Sequence, residues 1–135
     1  MTWTRWCLIG VLAALASGGP NAGLASESRF PFDSELLLDA KPMRGSKRIP
    51  NMDVAANGAI ALEMWCNRVE GQLVVAADTI TVMTGPVSDR QCPPERARGD
   101  ADLLSVLTEV TSWRREGDVV LLIGPRTLRF RLPTN

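Results

Sequence analysis

The feature that most narrows the fold is a period of two that returns along the chain. Ile60, Leu62, Met64 and Cys66 alternate with Ala59, Ala61, Glu63 and Trp65, and Ile80 and Val82 alternate with Thr79, Thr81 and Met83. Leu73 and Val75 share one side of the run between them, and Leu128, Phe130 and Leu132 alternate with Thr127, Arg129 and Arg131. Successive side chains of a strand point to opposite faces, so each run reads as a strand with one buried face. Glu35-Leu36-Leu37-Leu38-Asp39 reads as a first strand or a turn of helix, and Met52 to Ala56 as a further strand. Asn57-Gly58 is the strongest hairpin signal, because both residues accept positive φ, and Ala77-Asp78 marks another turn. Val119 to Ile123 is a continuous apolar run, expected of a central strand covered on both faces and ended by Gly124-Pro125.

One segment departs from that period. From about Glu95 or Asp100 to Ser112, the residues Leu103, Leu104, Leu107 and Val110, with Val106 at the margin, fall at three- and four-residue spacing. That is the stripe of an amphipathic helix. Pro93-Pro94 and the acids Glu95, Asp100 and Asp102 suit its positive N-terminal end. The order strands, helix, strands predicts an α+β fold: a small, antiparallel, strongly twisted sheet or cracked β-barrel closed by one α-helix.

The first residues read as a secretory signal peptide over residues 1–25. Arg5 precedes an apolar run from Trp6 to Ala16, about half the ~20 residues of a membrane-spanning helix, and small residues follow. Ala14-Leu15-Ala16 and Gly23-Leu24-Ala25 both offer a cleavage pattern, and the second leaves the polar start Ser26-Glu27-Ser28-Arg29. Cys7 stands near the start of the run, not after it, so no acylated N-terminus is expected. The expected product is periplasmic or secreted, with no stable membrane insertion after cleavage. Residues 26–50 are expected to form a partly ordered N-terminal extension, and 51–135 the main domain.

Cleavage removes Cys7 and leaves Cys66 and Cys92 in an oxidising compartment, where they are expected to bridge. A free buried thiol pair or an intermolecular bridge are the alternatives. Closing a loop of about 26 residues restricts the unfolded chain by roughly 3 to 4 kcal/mol.

Charge and composition then exclude several functions. The whole chain balances 15 Lys and Arg against 15 Asp and Glu, and the leader removes one cation. Nucleic-acid binding would call for a basic excess, so none is expected. The chain has no histidine, which rules out histidine-ligated metals, Ser-His-Asp triads and Cys-His pairs. A bridged cysteine pair removes the thiolate nucleophile as well. No enzyme, cofactor or metal is therefore expected. Glu63 and Glu70 are the remaining acid pair, and Glu63 reads as a solvent-side strand residue.

The segment Trp65-Cys66-Asn67-Arg68-Val69-Glu70-Gly71-Gln72, then Asp78-Thr79-Ile80-Thr81-Val82, then Cys92-Pro93 and a helix, then Glu116-Gly117-Asp118 before an apolar strand, resembles the META domain, also called the HslJ-like heat-shock domain. Cys66-Asn67 and Gly71 keep the family's core, with Trp65 in place of its usual glycine. The likeness runs from about Ala55 to Arg131, with Phe30 to Ile49 as an extra segment. It implies an envelope-located domain of antiparallel sheet and packed helix, with family associations to stress response, drug tolerance and secretion and no settled biochemical activity.

Asn67 and Gly71 read as the brackets of a tight turn, with binding by Asn67 the lesser reading. Arg68, Asp89, Arg90, Arg96 and Arg98 are candidates to gather at the bridge and hold a carboxylate or phosphate. Lys41, Arg44, Lys47 and Arg48, on a segment broken by Pro42, Gly45 and Pro50, are candidates for contact with an anionic surface. Trp65 reads as packing, or as a groove with Met64 and Met83 for an apolar ligand. The expected function is a non-enzymatic envelope accessory or interaction module with an unknown envelope protein as partner. The alternative is a carrier that takes a lipid or hydrophobic peptide into its barrel.

Overall fold

The computed structural model describes residues 29–134. The signal segment, its cleavage patterns and Cys7 lie outside the described residues. Eight strands follow one another around a closed antiparallel barrel: β1 (Ser34–Leu38), β2 (Asn51–Val54), β3 (Ala59–Glu63), β4 (Arg68–Ala76), β5 (Thr79–Val87), β6 (Ser112–Glu116), β7 (Val119–Ile123) and β8 (Leu128–Arg131). One helix, α1 (Pro94–Thr108), connects β5 to β6.

The expected class holds, and the period of two explains it. Leu36, Met52, Leu62, Leu73, Ile80, Val120, Leu122 and Phe130 point inward and are fully or almost fully buried. Burying one such side chain contributes roughly 1.5–3 kcal/mol, so a one-residue slip of any strand would forfeit several of these terms at once. Val120 and Leu122 on β7 point inward, and the alternating Leu121 and Ile123 are half-buried.

Two seams of the barrel are narrow. β8 meets β1 through Leu37↔Arg131 and Leu38↔Phe130. There Asp39 accepts from Arg129 Nε at 2.8 Å and Arg131 Nη2 at 3.2 Å, while its own N–H donates to the Arg129 carbonyl at 2.8 Å. β5 meets β6 through the single pair Thr79↔Ser112. The helix packs beside this second seam against β5 and adds Leu103 and Leu107 to the barrel core.

Several boundaries differ from the sequence reading. The domain begins before residue 51, because β1 closes the barrel against both β2 and β8. The helix stops at Thr108, and Ser112 belongs to β6. Val110 turns into the core, and the Thr111 N–H donates to the Ile123 carbonyl at 2.8 Å, drawing the chain back into the sheet. Val106, expected at the margin, is buried. β3 ends at Glu63, so Cys66 lies in a four-residue loop closed by the Met64 N–H on the Asn67 carbonyl at 2.8 Å. Gly71 is no turn residue. It sits within β4, opposite Ile60 and Thr84, where a Cβ would run into the Met83 carbonyl oxygen.

Candidate functional site

The loop between β3 and β4, the segment between β5 and α1, and the second turn of α1 meet at one corner. Cys66 and Cys92 are disulfide-bonded there, with Cα atoms 6.0 Å apart. Asp100 is the one buried charged side chain among the described residues. It accepts the N–H of Cys66 on Oδ1 at 3.1 Å and the N–H of Asn67 on Oδ2 at 2.7 Å. It was expected to serve the helix dipole, but it lies beyond the first turn and satisfies a loop backbone.

Asn67 links the three segments. Its Oδ1 accepts from Ser88 Oγ and from the Arg90 N–H, both at 2.9 Å, and its Nδ2 donates to Cys92 Sγ at 3.2 Å. The Arg68 N–H donates to Ser88 Oγ at 2.9 Å, and the Ser88 N–H to the Arg68 carbonyl at 2.9 Å. The Asn67 carboxamide is thus engaged at both ends within the protein.

Three of the cations that the sequence offered in two groups, Arg48, Arg90 and Arg96, are tied to this corner or to the loop beside it. Arg48 Nη1 and Arg90 Nη1 each donate to the Cys66 carbonyl at 3.3 Å. Arg96 Nη2 donates to the Gly45 carbonyl at 3.0 Å, pinning the basic loop to the start of α1. Gly99 supports the same contact. A Cβ there would collide with the Met43 methyl and the Trp65 indole, so glycine's helix penalty of about 1 kcal/mol is offset by close packing. Lys41, Arg44 and Lys47 stay exposed along that loop, and Asp89 and Arg98 are exposed at the corner without joining a shared pocket.

Arg68 is differently placed. Its Nη1 meets Glu63 Oε1 at 3.1 Å and its Nη2 meets Glu70 Oε1 at 3.2 Å. Hydrogen bonds to Glu70 first and Glu63 second raise the Arg68 pKa above its ordinary value. The one acid pair offered by the sequence therefore closes on a guanidinium. Arg68 and Arg90 flank a depression of about 420 Å³ with Glu70, Gly85, Pro86, Val87 and Ser88.

A second depression, of about 580 Å³, opens on the outer face of β1 to β4. Glu35, Asp53, Ala61 and Glu70 stand there in one cross-strand row, with Asp33 beside it. Glu70 lines both depressions, so this acidic row runs directly into the ion pairs of Arg68. Among the described residues no three His, Cys, Asp or Glu side chains gather as a metal site would require.

The groove of Trp65 with Met64 and Met83 does not form. Met64 is wholly buried in the barrel, Met83 is 51% exposed on β5, and Trp65 packs half-buried over Gly99. The barrel interior, offered as a lipid or peptide cavity, is filled by the core side chains. Asp100 is the residue that the sequence reading missed in its role. Its signal was a carboxylate on the buried stripe of the helix, three residues before Leu103.

No curated protein matches the sequence. A protein solved by NMR is similar in fold, with a TM-score of 0.59 at 19% identity, the match covering 74% of this chain and 89% of that one. The family comparison matches the META domain over residues 33–132, which takes in all eight strands, the helix and the disulfide corner. The chain belongs to the META domain family.

Proposed function

We propose that this protein is an exported, non-catalytic interaction module of the bacterial envelope, acting through its outer surface and serving stress or drug tolerance. The observation that carries the reading is the filled interior. The barrel core leaves its apolar residues to packing, and the one buried carboxylate is committed to two backbone N–H groups. The remaining described charge lies outside, with an acidic row across β1 to β4 that meets the cations of the disulfide corner at Glu70. A rigid scaffold with an acidic row beside a cluster of cations suits recognition of a partner, because potentials complementary to its own would steer encounter and fix orientation. The disulfide agrees with an oxidising compartment, and the apolar leader with export.

The test is expression of the full chain in a bacterial host with a photo-crosslinking residue at Arg44, Glu35 or the interior position Met52. The reading expects the chain outside the cytoplasm with its thiols bridged, and discrete adducts from an outer position but not from Met52. Cytoplasmic retention with free thiols, or adducts that form only from Met52, would overturn it.

A further inference from the structure

The geometry points to a carboxylate-binding site at Arg90, opening into the depression lined by Gly85, Pro86, Val87 and Ser88, where the lining acid Glu70 is neutralised by Arg68 at 3.2 Å. Its ligand is an acidic peptide group with an aliphatic neighbour. The inference rests on the outer-surface reading above and gives that surface a ligand chemistry.

Arg90 is exposed and has no acidic partner among the described residues. Its Nη1 shares one acceptor, the Cys66 carbonyl, with Nη1 of Arg48. Two guanidinium groups thus converge on one neutral oxygen. The carboxylate nearest to Arg48 is Glu63 at 3.8 Å, and Glu63 also pairs with Arg68 at the shorter distance of 3.1 Å. Like charges held this close repel, and an anion entering beside them relieves the repulsion.

The backbone that carries Arg90 is set before any ligand arrives. The Arg90 backbone donates to Asn67 Oδ1, and Asn67 is anchored to Asp100 and packed on the disulfide. A fixed backbone limits where the exposed guanidinium can reach, and its geometry matches a carboxylate with two parallel hydrogen bonds. Pro86 and Val87 supply the apolar wall, and Val87 is 42% exposed. Inorganic phosphate would leave that wall uncovered, and a flat bilayer would not enter the depression. A carboxylate carried beside an aliphatic side chain satisfies both halves.

The test follows backbone and Arg Nε signals of the ¹⁵N-labelled disulfide-bonded protein by NMR. The probes are N-acetyl-leucine, N-acetyl-leucinamide, inorganic phosphate and phosphatidylglycerol vesicles. N-acetyl-leucine is expected to shift Arg90, Val87, Ser88 and Cys66 in a saturable way, and the amide to bind about tenfold or more weakly. Arg90→Gln and Val87→Asp are each expected to weaken N-acetyl-leucine binding by about the same factor while the remaining spectrum persists. Equal response to acid and amide, or to phosphate and acid, would overturn the proposal. So would vesicle binding with no response to N-acetyl-leucine, which would assign the corner to a membrane. If envelope adducts form from Glu35 or Arg44 while N-acetyl-leucine leaves Arg90 unmoved, the outer-surface reading survives and this site falls.

Discussion

Replacing Asp100 should destabilise the protein more than any other change to a charged side chain. The carboxylate is 4% exposed and receives the N–H groups of Cys66 and Asn67 at 3.1 and 2.7 Å. Hydrogen bonds to a charged group are worth about 1.5–3 kcal/mol, and a stranded buried donor costs about 1–3 kcal/mol. Alanine improves the helix propensity by about half a kcal/mol and lets some water reach the loop. Asp100→Ala should therefore cost about 2–4 kcal/mol net. Asp100→Asn, which keeps one acceptor, should cost about half as much. Urea unfolding of the disulfide-bonded protein measures both, and at about 4–8 °C per kcal/mol the alanine variant should melt on the order of 10–25 °C lower. A cost for alanine below about 0.5 kcal/mol, the scale of an ordinary surface change, would refute the claim that this carboxylate anchors the β3–β4 loop.

Three further outcomes follow from named contacts. Hydrogen bonds from Arg131 first and Arg129 second hold the Asp39 carboxyl below its ordinary value of 3.8. A depressed folded-state pKa stabilises fully above the unfolded value and is lost as pH falls through the folded one, so the gap in stability between the protein and Asp39→Asn should close below about pH 4. A gap constant from about pH 7 to about pH 2 in urea titrations would contradict this. Replacing both Cys66 and Cys92 with Ser should lower stability by about 3 kcal/mol, and an unchanged urea midpoint would count against the bridge as a structural tie. Gly71→Ala should cost about 2–3 kcal/mol because its Cβ meets the Met83 carbonyl, and a thermal melt matching the parent would show that β4 and β5 approach less closely there.

The fold was largely legible in the sequence because its signals are local. Alternation at Ile60, Leu62 and Met64 and at Leu128, Phe130 and Leu132 fixed which faces are buried, and Asn57-Gly58 fixed one hairpin. Ring closure was less legible. Ser34–Leu38 pairs with a strand more than ninety residues away through two residue pairs, and nothing local in its apolar run announces that partner. The helix end was misread because Val110 keeps the helical spacing while already lying in the turn to β6.

The corner was legible in its members and not in its arrangement. Cys66, Asn67, Arg68 and Arg90 stood out by residue type, and the cysteine pair predicted that their loops meet. That Arg48 would join Arg90 on a carbonyl depends on the Lys41–Pro50 segment folding back over α1, a contact set by Gly99 and Arg96 some fifty residues away. Gly71 was read as a turn residue because glycine serves turns and close backbone approaches alike, and only the position of β5 separates the two.

A cross-linked barrel whose interior is already full has a definite mass. Native mass spectrometry of the full chain recovered from a bacterial envelope tests it in one spectrum. The expected species is a polypeptide two hydrogens lighter than its reduced form and carrying no retained apolar molecule. A stoichiometric lipid or peptide adduct that survives purification, or a chain at its fully reduced mass, would contradict it.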